Sequence, residues 1–453
     1  MIITRTLLCL AAAAALANAQ ELNILYSFGG TNTDETLPVG TLTETAPGQF
    51  IGESGSVVFQ ITNGGVYTAL ATFNTDTQGF VTAGQLFPAT NGFFYGTNIS
   101  GTNGFKGSLY ATSTTGKLKI LLPNTGQAST LMEAVDGNLY GVNQDPTTGD
   151  YWLFRMSLSG TITNLYDMGP NGYTIAALYQ ASDGYLYGMT TGQNDSPGVL
   201  FRASTSGHFR ILHTFPNGMG GLGGLTQASN GLLYGVAVAP PPYAPCPGIG
   251  AYIFSLSLSG TFRKFPGNWT GCSVYGGING PSTGLVEGSD GNLYGATGGG
   301  GGFSMGSVFR VNLEGTSFFN LLNFDLGNGA GPAGYGGYAL VQGSDGYLYG
   351  MAEGGGAYDG GTIYQLGINA PPPLPTVRLF APASGAPGTA VRISGSHLIG
   401  VTGVSFNGVP ATSISSRGDY FVVAVVPPGA TTGPITVTTP NGSGAGTQTF
   451  TVD

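Results

Sequence analysis

Short runs of alternating apolar and polar residues, each bounded by glycine, recur along most of this chain. Gly65 to Phe73, Gly160 to Met168, Gly207 to Phe215 and Gly315 to Phe324 alternate in this way and predict strands with one buried face. A second run centres on Leu42, Leu86, Leu131, Leu178, Leu225, Leu285 and Leu340. A third follows Asp/Asn-Gly-x-Leu/Phe-Tyr-Gly, with its tyrosine at Tyr95, Tyr140, Tyr187, Tyr234, Tyr294 and Tyr349; Gln49-Phe50-Ile51-Gly52 places Ile51 in the same column. The fourth carries an aromatic residue at Phe59, Tyr110, Phe154, Phe201, Phe254, Phe309 and Tyr364. Four strands per repeat and seven repeats predict an all-β, seven-bladed β-propeller.

The seventh repeat lacks its outermost strand, because a proline run begins soon after Tyr364. Glu21 to Phe28 has the apolar pattern of Arg210 to Phe215, so the N-terminal strand is expected to complete the last blade and close the ring. Ala370 to Pro375 reads as a stiff, extended spacer, since proline fixes φ. The expected organisation is a signal peptide at 1–19, the propeller at 20–369, a proline-rich linker at 370–376 and an immunoglobulin-like β-sandwich at 377–453.

The repeat copies, Leu285 to Thr297 among them, resemble the GloVer tandem repeats of secreted bacterial proteins over most of residues 20–369. That resemblance implies a propeller and supplies no catalytic residues. Ala383 to Gly395, Val404 to Ala411 and Gly433 to Val437 resemble, in order and spacing, IPT/TIG immunoglobulin-like domains, which implies a spacer or adhesion module.

Composition changes the picture in two places. Glycine is abundant, at 81 residues, but 11% of the chain is aromatic, so glycine marks turns in a chain with ample core material. A net charge of −9 with no basic cluster argues against nucleic acid or an anionic membrane as partner. Arg5, the apolar run Leu7 to Leu16 and Ala17-Asn18-Ala19 read as a cleavable signal peptide, with the mature chain starting near Gln20, secreted and without a transmembrane segment. Cleavage leaves Cys246 and Cys272, which are expected to form a disulfide in an oxidising compartment.

Asp136, Asp183, Asp290 and Asp345 resemble a ring of carboxylates, yet each precedes glycine and Asn91 and Asn230 replace Asp in sister copies, which is the signature of a hairpin turn. The tyrosine column reads as packing between blades. A further column, Glu44, Pro88, Glu133, Gln180, Gln227, Glu287 and Gln342, mixes residue types in a way that suits turn and backbone hydrogen bonding better than metal ligation. His208 and His213 fall at one outermost strand and His397 in the sandwich, so no histidine is expected near the propeller axis. Streptogramin-lyase-like propellers, which this fold broadly resembles, use an axial histidine with a metal. Glu353, Asp359 and Asp325 lie in glycine-rich loops that are able to approach one another, the arrangement a carboxylate-pair glycosidase needs.

Every long insertion falls on one face of the predicted ring, the other being built from tight turns. The inserted loops carry Tyr243, Trp269, Tyr275, Tyr335 and Tyr358, with Asp359, as expected ligand-binding residues. The resulting expectation is an extracellular binding or scaffolding monomer, with a glycan or a cell-surface protein as partner and no cofactor or metal. The alternative is a propeller lyase or hydrolase acting on a polysaccharide or lactone.

Overall fold

The computed structural model describes residues 21–31, 37–74, 86–98, 108–123, 131–145, 147–169, 178–191, 197–216, 218–239, 250–266, 283–330 and 340–453. Among them every regular element is a strand, so the protein is all-β. The first sheet runs Pro38–Ala46, Gln49–Ser54, Val57–Thr62 and Tyr67–Thr72, each strand antiparallel to the one before. Six further four-stranded antiparallel sheets follow between residues 87 and 366, giving a propeller-like series. In the seventh, Val341–Gln342, Leu348–Ala352 and Thr362–Leu366 are joined by the N-terminal strand Leu22–Ser27, which pairs Leu22 with Leu366 and Ser27 with Thr362.

The repeating columns explain why these residues form sheets that pack face to face. Tyr187 and Phe215 of the fourth sheet share one apolar cluster with Leu225 and Phe254 of the fifth. Tyr349 and Ile363 of the seventh do the same with Leu42 and Phe50 of the first. The glycine after each motif tyrosine is required by close approach: a methyl on Gly235 would lie 2.6 Å from Phe254 and 2.8 Å from Leu225. The third-strand aromatic thus lies against bare backbone, and alanine there would overpack the junction.

The carboxylate ring is consumed locally. Asp136 accepts the Asn138 N–H at 3.0 Å and the Tyr140 hydroxyl at 2.7 Å; Asn230 likewise accepts the Leu232 N–H, but its Nδ2 donates to the Tyr234 hydroxyl at 2.7 Å. The Tyr234 hydroxyl also donates to Leu313 O of the next sheet at 3.1 Å. Each Asx therefore closes its own turn and steadies the tyrosine that spans two sheets.

The Glu/Gln column joins neighbouring sheets. Each side chain accepts an N–H from the turn between the first two strands of the preceding sheet: Glu133 from Thr90, Gln180 from Val135, Gln227 from Ser182, Glu287 from Ser229, Gln342 from Ser289 and Glu44 from Ser344, at 2.7–2.9 Å. The Glu44 bond links the first sheet to the seventh. At the one remaining junction the column residue is Pro88, and Thr43 Oγ1 instead donates to Leu86 O at 2.8 Å.

Residues 376–452 form two sheets. Thr376–Ala381, Ala390–Ser396, Phe421–Val425 and Ile414–Arg417 make one; Ser384–Gly385, Gly442–Val452, Gly433–Thr439, Gly403–Phe406 and Val409–Pro410 make the other. Val391, Ile393 and Val422 from the first meet Phe406, Ile435 and Phe450 from the second in a single core.

Glu44 is buried, and burial raises its carboxyl from 4.5 to about 7 although Gly48 and Ser344 donate to it. The folded state therefore holds this proton to a higher pH than the unfolded chain. Its stabilising effect is full below pH 4.5 and is lost as pH rises through 7, with a contribution of about 3 kcal/mol. Urea denaturation from pH 4.5 to 8 should show wild type losing more stability than Glu44→Gln; parallel pH profiles would contradict this account.

Candidate functional site

The residue between each inner-strand leucine and its Glu/Gln points away from the leucine's face, because side chains alternate along a strand. Phe87, Met132, Tyr179, Thr226, Val286 and Val341, from six different sheets, consequently meet around one cavity of about 540 Å³. The inner strands thus converge on a central channel, and this cavity lies at its tight-turn mouth.

The C-terminal sheets cover that mouth. The Tyr420 ring stacks on Phe87 with centroids 5.5 Å apart, and Phe421 meets Phe87 edge-on at 6.4 Å. The Arg378 guanidinium lies over the Tyr179 ring at 4.9 Å. Arg392 lies over Phe421 at 4.9 Å, donates to Thr90 Oγ1 at 2.9–3.0 Å and forms an ion pair with Glu133. Burial raises the Glu133 carboxyl, an effect that Arg392 and Thr90 oppose. Gln448 Nε2 donates to Ser182 O at 3.1 Å, and Asn441 Nδ2 to Ser344 O at 2.8 Å. These contacts fall on the inner strands or first turns of four sheets, so the C-terminal sheets are seated on the tight-turn face.

Contrary to the expectation that no histidine lies near the axis, His397 lines the axial cavity, because residues 376–452 fold back over the channel mouth. It sits at a φ of 56°, held by the Asp419 carboxyl, which accepts its N–H at 3.0 Å and that of Ile399 at 3.3 Å. Burial, with Arg378 nearby, lowers the imidazole to about 4, leaving it neutral at pH 7. Burial also raises Asp419 to about 7 against the pull of those amides. Repeat analysis has no column for Arg378, Arg392 and His397. They lie beyond the repeats, so no recurring position marked them.

On the opposite face, Tyr358 is 62% exposed. Asp359, at a φ of 58°, accepts Gly355 N–H at 3.1 Å, and Asp325 accepts the N–H groups of Gly327 and Asn328 at 2.9 Å. The two loops do approach, through Gly356 N–H to Leu326 O at 2.8 Å, but these two carboxylates bind amides of their own loops. His213 stacks on Phe262 in an outer strand, and His208 bonds the Ser204 and Ser206 hydroxyls. Tyr243, Trp269, Tyr275, Tyr335, Cys246 and Cys272 lie outside the described residues. Among the described residues no three His, Cys, Asp or Glu side chains gather as a metal site.

Residues 48–240 match the Gloeobacter/Verrucomicrobia repeat. That stretch spans most of the first five sheets, and the same columns continue beyond it to Tyr364. No curated protein matches the chain significantly. A fungal alcohol oxidase of the AA5 family, solved in complex with copper, superposes with a TM-score of 0.53 at 13% identity, over 96% of this chain and 100% of its own. A puromycin hydrolase gives 0.43 at 15% identity over 70% of this chain, which spans only 51% of that enzyme. An oligogalacturonate lyase from Vibrio parahaemolyticus gives 0.37 at 9% identity, over 77% and 97%. At such identity the likeness to the oxidase is one of fold.

Arg392→Leu leaves the Glu133 carboxylate buried without its cation, and breaking such a pair costs about 3–5 kcal/mol. Adding Glu133→Gln, the residue type found at Gln180, Gln227 and Gln342, should restore part of the loss in urea denaturation. A double variant no more stable than the single one would show that the ion pair is not what the mutation disrupts.

Proposed function

We propose that this chain is a secreted binding or scaffolding protein: a seven-bladed β-propeller closed by its N-terminal strand, with a C-terminal immunoglobulin-like sandwich of the IPT/TIG kind. The observation that carries the reading is the division of labour between the two mouths. The sandwich is clamped onto the tight-turn mouth through Arg392 and Asn441, whereas the loop Glu353 to Gly361 lies at the other end of its strands. Loops on a rigid scaffold are where recognition concentrates, and an exposed aromatic such as Tyr358 offers a flat apolar face suited to a sugar ring. The repeated Asp and Tyr side chains support a scaffold, since they hold turns and blades together. The ligand of this reading is a glycan or other cell-envelope material. Oxidase, hydrolase and lyase activities belong to the proteins named above.

A glycan-array screen of the mature protein should yield a ligand whose affinity falls at least tenfold in one or more of Tyr243→Ala, Trp269→Ala and Tyr358→Ala. Unchanged affinity in all three would move the site elsewhere. The secreted state carries its own check: the non-reduced protein should begin near Gln20 and show no free thiol, and a count of two by mass spectrometry would refute the Cys246–Cys272 disulfide.

A further inference from the structure

The axial cavity beneath the C-terminal sheets takes no part in the loop-face reading, and its chemistry is specific. Its walls are largely apolar, with Phe87, Met132, Leu178, Val286 and Val341 from the inner strands and Leu374 from the linker. The cationic group in the wall is Arg378. Its guanidinium rests over Tyr179, and among the described residues it makes no ion pair or hydrogen bond to the protein. Arg392, on the adjacent strand, also rests on an aromatic ring but has Glu133 and Thr90 as acceptors. Of the two arginines brought to the mouth, Arg392 has protein acceptors for both terminal nitrogens and leaves only its buried Nε without one, whereas Arg378 presents its N–H donors to a cavity.

A guanidinium in an apolar pocket gains most from an acceptor of its own fork geometry, a carboxylate. Three carboxyls stand in the same wall: Glu287 is engaged by the Ser229 N–H and hydroxyl, Glu133 by Arg392 and Thr90, and Asp419, near Arg378, by the amides of His397 and Ile399, so the wall disfavours a ligand with more than one negative charge. The neutral His397 ring adds a polar contact without adding charge. The volume of about 540 Å³ is that of an ordinary small-molecule site. Exposed Ser229, Gly291, Pro371 and Pro372 form its rim, so a ligand has a way in between the linker and the turns of the fifth and sixth sheets.

We propose that this cavity binds a small monocarboxylate with an apolar tail or ring, its carboxylate on Arg378 and its body among the axial side chains. The site is independent of the loop-face ligand. Calorimetric titration of the full chain with octanoate and with octanol tests it. Wild type should bind octanoate at least tenfold more tightly than octanol. Arg378→Met, which keeps the apolar stem over Tyr179, should lose that preference while holding octanol within twofold. Val286→Trp, which fills the cavity, should weaken both probes at least tenfold, and Tyr358→Ala should change neither. Absence of octanoate binding to wild type would overturn the proposal. So would an undiminished preference in Arg378→Met, unchanged binding in a folded Val286→Trp, or displacement of octanoate by inorganic phosphate at equal concentration.

Discussion

The hydrogen bond that six of the seven inner strands accept from the preceding turn is the interaction on which the rest of this structure depends. A four-stranded sheet with an apolar face on either side is unstable alone, and a row of such sheets leaves its first and last faces bare. Apolar contact between neighbours is non-directional and sets no angle. The Glu/Gln side chains supply direction: Gln227, for example, accepts the Ser182 N–H while donating to the Ser182 hydroxyl and to Gly231 O, tying two sheets at a fixed distance. Repeated around the series, that geometry brings Ser344 to Glu44 and Tyr349 to Phe50, so the last sheet meets the first in the same way as any other pair.

The break in this pattern is where the C-terminal sheets attach. Pro88 has no side-chain acceptor for the neighbouring turn, and the second sheet is the one whose Phe87 meets Tyr420 and whose Thr90 meets Arg392. Gly418 lies so close to Pro88 that a methyl there would come within 3.0 Å of its ring. The loss of one repeated bond is thus accompanied by a docking surface on the second sheet, while Thr43 and the apolar cluster of Ile51, Phe73, Leu86 and Tyr110 hold that sheet to the first.

Docking also changes the chemistry of the mouth. Asp419, Glu44 and Glu133 are all buried there or at the adjoining junctions, and burial raises each of them. Glu133 has a cation and Glu44 and Asp419 have amide donors, so these three carboxyls are held by specific partners. Arg378 faces open space instead. A surface built mainly to join two parts of the chain therefore retains a cationic group in the wall of a cavity.

The repeat, the seven sheets and the strand that completes the last are legible in the sequence, because each depends on local alternation, Asx-Gly turns and columns that recur at corresponding positions. The sequence also distinguished a turn-closing Asp136 or Asp183 from a catalytic carboxylate, since Asn91 and Asn230 hold the same place. It did not reveal that His397 and Arg378 would stand at the channel mouth. Those residues come from a segment remote in sequence from the inner strands they meet, and their position follows from how two surfaces fit after each has folded. Periodicity reports which side of a strand a residue occupies; only the tertiary structure decided which residues of the C-terminal sheets would face the axis, because that choice is made by docking contacts such as Arg392 with Glu133 and Tyr420 with Phe87.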